Sequence, residues 1–532
     1  MRCRLKARMG RSRCITQSRG KPVHTGKSGS VSAQGGKAMF EDAPVNTGAV
    51  GWPDPDSAYF AVRRMQTKLH RWAIEDSGRR FGDLFNLIYD PAFLVAAWER
   101  VSTNKGAKTA GIDKATAAMI ETWVGVETFL EQIRNSLKSG EFRPVEVRQV
   151  MIPKGNSGKL RKLGIPTVAD RVVQASLKLV LEPIFEADFK PCSYGFRPNR
   201  RAHDAISEIH LLGTSGYHWV LECDIKACFD EIGHTALMDH LRRRIKDKRI
   251  CSTVKAFLKS GLLTELGSKE ETQTGTPQGG ILSPLLANIA LSALDEYFDQ
   301  QWCREMGNDG QRRQRRNKGL GNWRLVRYCD DFVLMVFGER RHAEVLREEV
   351  SAVLAPLGLR LAPEKTQVVH IDEGFTFLGF DIRRMRKRGT SKHYVYTKPS
   401  TKAVQSIKDK VKVKTYRSTR YQDLGELIAD VNRSLAGWAN YFRHGVSKAT
   451  FSAVDSFVWG RLMRWTRAKY AGKTRLSMKE LRRRFCDQGW RFAYKGVVFA
   501  GASSVEVTRY RYRGRNIPTP WTTRPATAVT GS

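Results

Sequence analysis

Leu325-Val-Arg-Tyr-Cys-Asp-Asp-Phe-Val-Leu-Met-Val-Phe337 consists of two apolar runs joined by a polar turn, the pattern of a β-hairpin. Aspartates favour turns, so a plain solvated turn would account for Asp330 and Asp331 by themselves. Their flanks point further. Leu325–Val326 and Phe332–Phe337 are apolar enough to bury the hairpin on both sides, and adjacent carboxylates beside a low-dielectric core call for a cation. Hard carboxylate oxygens suit Mg²⁺.

Upstream, His218–Ile225 (HWVLECDI) is a short apolar run closing on Asp224, with Phe229 and Asp230 soon after. A strand-end carboxylate beside a hairpin carboxylate is what two-metal phosphoryl transfer requires, with the ions ~3.5–4 Å apart. Such chemistry needs positioned charge and little else, so histidine is dispensable. Phe229 reads as core packing or as a wall beneath an incoming sugar.

Further out, Val172–Phe185 carries Val172, Ala175, Leu179 and Val180 on one helical face. Ala343–Leu357 does the same with Leu346, Val350, Val353, Leu354 and Leu357. Helices mixed with short strands and hairpins indicate an α+β chain, not a doubly wound sheet.

Two loops add candidate contacts. Ile152-Pro153-Lys154 and Arg161 flank a Gly-containing turn, a hairpin tip able to fold two cations over a phosphate chain or to stand in solvent. Thr276–Pro284 (TPQGGILSP) places Gln278 and a glycine pair before a helix, where bare backbone either approaches a ligand or caps the helix.

The chain has 532 residues, and 91 Lys+Arg against 53 Asp+Glu give a net charge of +38. Such self-repulsion points to a polyanionic partner, nucleic acid before anionic membrane. No apolar run approaches the ~20 residues of a membrane span. The 9 cysteines show no C-x-x-C pairs, which argues against a disulfide framework or structural zinc and for reduced thiols. Gly26-Lys27-Ser28 and Gly472-Lys473-Thr474 lack the upstream glycine of a phosphate-binding P-loop.

Residues 1–58 read as a basic disordered arm followed by a GWPDPD linker. An organelle transit peptide, or a start at Met39, would explain the arm equally. Residues 382–420 hold 14 Lys/Arg against the single acid Asp409, with Tyr394, Tyr396 and Tyr416 interleaved. Leu427, Val431, Leu435, Trp438 and Phe442 then share one helical face. Lys479–Ser532 is again basic and aromatic, a possible DNA-binding region.

In this order the segments resemble the reverse transcriptases encoded by group II introns, from about Phe81 to Arg443. GIDKAT (Gly111–Thr116), Ile152–Pro166 and Asp170–Arg201 with CSYGFRPNR are similar to its early blocks. DIKACFD (Asp224–Asp230), TPQGGILSP and YCDD resemble its catalytic and template motifs. LRLAPEKT (Leu359–Thr366), FTFLGF (Phe375–Phe380) and LAGWANYFR (Leu435–Arg443) resemble its closing palm and maturase blocks.

The resemblance implies a right-hand polymerase. Fingers and palm would span 59–385, with an antiparallel sheet and catalytic hairpin. An α-helical thumb or maturase domain would follow over 386–478, then a basic tail over 479–532. It implies an RNA-directed DNA polymerase that binds its group II intron RNA and assists splicing and retrohoming, with dNTPs and a DNA target or primer as further partners. Asp224, Asp330 and Asp331, helped by the Ile225 carbonyl, would hold two Mg²⁺ ions. Phe229 would be the steric gate, Gln278 and Gly279 would contact nucleotide and template, Lys154 and Arg161 the triphosphate, and Lys365 the departing pyrophosphate.

From the basic thumb pattern, Arg383, Arg384, Arg386, Lys387, Arg388, Lys410, Lys412, Lys414, Trp438, Tyr441 and Arg443 are the expected RNA contacts. Cys329 departs from the alanine common in relatives. With Cys486 the single cysteine beyond it, no cysteine-rich homing endonuclease is expected. A splicing factor with a dead polymerase site, and a retron, CRISPR-associated or diversity-generating reverse transcriptase, are the alternatives. No membrane association is expected. A cytoplasmic, nucleic-acid-bound location is the expectation, with an organelle as the alternative; the oligomeric state, a dimer included, stays open.

Overall fold

A computed structural model describes residues 51–153, 160–263, 269–270, 274–276, 279–470, 477–487 and 491–522. Lys154 and Gln278 lie outside the described residues.

The first helix, Pro55–Glu75, begins inside the stretch expected to be linker. Asp54 accepts hydrogen bonds from the amides of Asp56 and Ser57, both at 3.0 Å, and Pro55 occupies the first turn. An Asp-Pro pair thus serves as a helix start rather than a spacer. The helix packs against Pro91–Ser102 and Val168–Glu186. Val168–Glu186 is longer than the expected Val172–Phe185, because Thr167 caps its N-terminus, and it is buried almost throughout.

The hairpin and the strand before it form as expected. Asn322–Tyr328 and Asp331–Phe337 pair antiparallel, Trp219–Asp224 lies beside Asp331–Phe337, and Gln367–His370 closes the four-stranded sheet. Alternate residues face two different cores. Leu221, Phe332, Leu334 and Val336 join the large core of the helical N-terminal half, whereas Val220, Val326, Val333 and Met335 join a second core on the opposite face. Burial on both faces is why these strands read as unbroken apolar runs.

Val147–Pro153 and Leu160–Ile165 pair antiparallel with Ile152 opposite Arg161, so the expected basic hairpin exists on either side of its undescribed tip. Its sheet continues through a short parallel pairing of Val147–Arg148 with Leu262–Leu263. A third sheet, Phe375–Phe377, Phe380–Arg386 and His393–Pro399, packs against the helix Ala202–Thr214.

The C-terminal region is helical: Thr401–Lys414, Leu424–Phe442, Lys448–Tyr470 and Met478–Phe485. Ile407, Val431, Leu435, Val458, Leu462 and Leu481 fill its core, and Phe485, Phe492 and Phe499 close it, so residues 478–487 and 491–499 pack as part of this bundle. The chain then runs as an irregular strap over Val505–Trp521 back to the first helix. Arg513 pairs with Asp204 and Arg515 with Glu208. The Trp521 indole donates to Gln66 at 3.1 Å, and Thr519 is hydrogen-bonded to His70 at 3.0 Å.

Candidate active site

Asp224 and Asp331 are direct partners in the antiparallel register. Opposed residues share a face with α-carbons ~4.5–5.5 Å apart, so the two carboxylates meet at one end of the sheet. Asp330 follows within the turn. Tyr328 pairs with Asp331, which leaves Cys329-Asp330 as a two-residue connection. Cys329 takes a left-handed φ of 60°, the kind of turn that matches hairpin twist, at a cost a non-glycine residue needs help to meet.

That help comes from a buried polar network under the turn. Arg327 is 0% exposed yet fully engaged. Its Nη1 donates to the Cys329 carbonyl at 2.8 Å and to Asn288 at 3.0 Å, its Nη2 to Ser193 at 2.8 Å, and its Nε to Asp295 at 2.7 Å. Burial alone would lower the Arg327 guanidinium, but Asp295 outweighs it and holds the group above its ordinary range. Asn288 also donates to the Gly195 carbonyl at 2.9 Å. A Cβ on Gly195 would stand 2.4 Å from the Cys329 nitrogen, so the CSYGFRPNR segment meets the turn backbone to backbone. Burial, then the charge of Asp330, pushes the Cys329 thiol up to about 12, which keeps it an inert packing group.

Lys365 stands at the other side of the site. It ends the short turn Pro363–Lys365. The Ala362 amide donates to the Asp224 carbonyl at 2.8 Å and the Lys226 amide to Arg360 at 2.9 Å, in a bridge that pairs Ile225 with Leu361. The Ile225 carbonyl is not an acceptor in that bridge. The Lys365 ammonium is bonded to the Asp224 carboxylate, which raises its pKa, with Asp331 adding to the field. Among the described residues no three His, Cys, Asp or Glu side chains gather into a ready ligand cluster. Three bare carboxylates repel, and Asp224 takes Lys365 as its counter-ion.

Phe229 lies in the short helix Cys228–Glu231, half-buried against the large core. Its carbonyl accepts from the Thr276 amide at 2.6 Å, which ties Thr276 to the short helix that follows the carboxylate strand. Gly279 has a φ of 113°, and a Cβ there would fall 2.5 Å from the Gly164 carbonyl. Gly279 therefore rests on the strand that carries Arg161, itself exposed. Asp224, Phe229, Gly279, Asp331 and Lys365 thus belong to contiguous elements.

The RNA candidates divide. Arg386, Arg388 and Lys410 are exposed, and Lys387 lies over the Tyr394 ring. Arg384 is held by Asp372 and His218, Arg383 bonds the Asp372 carbonyl, Lys412 pairs with Asp409 and Lys414 with Asp430. Trp438 and Tyr441 are half-buried and bonded within the fold. The Trp438 indole donates to Ala403 and its ring packs on Phe442 and Phe451, while the Tyr441 hydroxyl donates to Leu378 and is pushed up to about 12 by burial. Arg443 donates to Asn440 at 3.4 Å. The sequence reading missed Arg327, Gly195, Asn288 and Asp295. An arginine inside an apolar strand run was the available signal, since such a charge must be paired.

Residues 152–382 match the family model described as reverse transcriptase (RNA-dependent DNA polymerase), and residues 404–485 match the group II intron, maturase-specific domain. Protein YkfC of Escherichia coli is 38% identical over 64% of this chain and 93% of its own length. Group II intron-encoded protein LtrA of Lactococcus lactis is 35% identical over 59% of this chain and 58% of its own length. Nuclear intron maturase 1, mitochondrial, of Arabidopsis thaliana is 25% identical over 43% of each chain. With opposed carboxylates at the sheet end and a helical domain behind them, the chain belongs to the group II intron reverse transcriptases, RNA-directed DNA polymerases that carry a maturase-specific domain.

Proposed function

We propose that the chain extends a primer 3′-hydroxyl along an RNA template by two-metal-ion nucleotidyl transfer, and that it binds its group II intron RNA to support splicing and retrohoming. The observation that carries the reading is the cross-strand pairing of Asp224 with Asp331 beside the Asp330 turn. In right-hand terms, the four-stranded sheet is the palm, the basic hairpin belongs to the fingers and the helical bundle is the thumb.

The donor set fits magnesium: hard carboxylate oxygens from Asp224, Asp330 and Asp331 plus a backbone carbonyl at Ile225 that its bridge leaves aside. When bound, a pair of Mg²⁺ ions supplies charge to the attacking primer oxygen and to the leaving pyrophosphate. The protein's part is positioning. Arg327 and Gly195 hold the turn, and Phe229 forms a wall against the sugar that excludes a 2′-hydroxyl. Gly279 exposes backbone to the template–nucleotide pair with Gln278 beside it. Lys154 and Arg161 on the hairpin neutralise the triphosphate. Lys365 leaves Asp224 for the pyrophosphate as the substrate enters, so one ammonium balances whichever anion is present.

Exposed Arg386, Lys387, Arg388 and Lys410 supply phosphate contacts for intron RNA. No described helix is long and apolar enough to cross a membrane. Primer extension on an RNA template is the test: wild-type chain incorporates dNTPs with Mg²⁺, and Asp331→Asn incorporates none above background. Equal incorporation by both would overturn the assignment of the site.

A further inference from the structure

A groove of about 790 Å³ lies between the helix Ala202–Thr214, the strand His393–Pro399 and the strap residues Val507–Tyr512. Past His210, Val395 and Arg509 it continues into a hollow of about 820 Å³ that reaches Arg384, Lys387 and Tyr394. None of its lining residues belongs to the catalytic constellation.

Its electrostatics are one-sided. Neither stretch is lined by any Asp or Glu among the described residues. Lys448, Arg509 and Arg511 are exposed along the rim, in contrast to the next strap arginines, Arg513 and Arg515, which are paired with Asp204 and Glu208. The floor is aromatic. The His203 ring stands 4.9 Å from His444 and 5.5 Å from Tyr510, and Tyr510 stands 5.0 Å from His444. Burial lowers the pKa of His203 and of His210, which favours uncharged rings on the floor.

We propose that this acid-free groove is a docking channel for single-stranded intron RNA, with unpaired bases on the His203–His444–Tyr510 floor and phosphates on the Lys448–Arg509–Arg511 rim. It rests on the reading of the chain as a binder of intron RNA and adds a surface apart from the polymerase cleft. Flat rings between cations accept any base on its π-face while the rim follows the backbone. The hydroxyl side chains of Ser207, Thr214 and Thr508, which also line the groove, offer partners for the ribose 2′-hydroxyl that DNA lacks. An acidic peptide would match the rim and leave the floor unused.

The test compares the full chain with the triple variant Lys448→Glu/Arg509→Glu/Arg511→Glu, using a labelled, unstructured RNA 20-mer as probe and a saturating primer–template to fill the catalytic cleft. Three lost phosphate contacts correspond to about a hundredfold weaker binding near 0.1 M salt, and a slope of log affinity against log salt shallower by ~2. Primer extension is expected to stay at the wild-type rate, which separates failure here from failure of the polymerase assignment. Should the charge-reversed chain not fold, the Gln triple decides, with about tenfold weaker binding expected. RNA carrying 4-thiouridine is expected to cross-link to peptides containing Tyr394–Tyr396 and Tyr510–Tyr512. Affinity within threefold of wild type, wild-type binding of a DNA 20-mer as tight as of the RNA, tighter binding of an acidic peptide, or cross-links confined to other peptides would each overturn the proposal.

Discussion

Gly195→Ala is a methyl-sized probe of how firmly the turn proposed to be catalytic must be held. The added Cβ would sit 2.4 Å from the Cys329 nitrogen, where ordinary contact begins at 3.4 Å, so about 1 Å of separation has to be found. Neither side yields easily. The Cys329 carbonyl is gripped by Arg327 at 2.8 Å and the Gly195 carbonyl by Asn288 at 2.9 Å, and both grips share one buried network. Overpacking of this kind costs about 1–3 kcal/mol of stability. The catalytic cost is larger, because a misplacement of about 1 Å in a reacting constellation lowers turnover by roughly 10²-fold. Single-nucleotide primer extension at saturating dNTP, alongside a thermal melt, reads both. The expected result is a folded protein with kcat down by about two orders of magnitude and KM for dNTP nearly unchanged. A variant that turns over within threefold of wild type would refute the idea that this backbone contact sets the carboxylates.

Phe229→Ala is expected to admit ribonucleotides, raising rNTP incorporation relative to dNTP by at least tenfold in primer extension; unchanged discrimination would assign Phe229 to packing alone. Arg327→Met leaves Asp295 buried without its cation, a loss of about 3–5 kcal/mol, and a urea midpoint equal to that of wild type would contradict the network. Burial raises the Asp170 carboxyl from 3.8 to about 6. Because the folded value lies above the unfolded one, its stabilising contribution is complete below about pH 4 and is lost as pH rises through about 6, a swing of about 3 kcal/mol. Asp170→Asn should lack that swing, so the wild-type-minus-variant stability falls between pH 4 and pH 6.5; a constant difference would remove Asp170 from the pH response. Arg513→Ala removes a half-exposed cation from buried Asp204 and should cost about 1–2 kcal/mol in urea unfolding, with no loss of extension rate in the folded fraction.

The carboxylate hairpin was legible because its pattern is local. A two-residue polar turn between runs buried on both faces allows one reading, and register then puts Asp331 opposite a strand-end acid. The partner strand was found by its terminal Asp224, and the helices Val168–Glu186 and Leu424–Phe442 by their periodicity. The scaffold beneath the turn was not legible. Gly195, Asn288 and Asp295 are far from Arg327 in sequence, and only packing reveals that one guanidinium satisfies them together. Nor were the internal partners of Trp438 and Tyr441 legible: an aromatic beside cations looks the same in sequence whether it stacks on a base or closes a core. Composition read Lys479–Ser532 only as a basic, possibly DNA-binding region, because it counts charges and cannot see that Arg513 and Arg515 pair with Asp204 and Glu208 while Arg509 and Arg511 stay exposed.

That strap makes the molecule a clasp fastened last. Trp521 reaches Gln66 across a separation of 455 residues. At ~5–20 residues per second, a ribosome releases the second half of the clasp roughly 20–90 s after the first. Late in that interval, once residues 331–370 have emerged, the hairpin and its carboxylates are complete, while Asp204 still lacks Arg513, Glu208 has Arg324 without Arg515, and the groove of the first helix lacks Trp521. A nascent chain therefore owns its carboxylate hairpin before it owns its closure, and a premature stop codon upstream of Arg513 would release a body whose Asp204 stays without its cation.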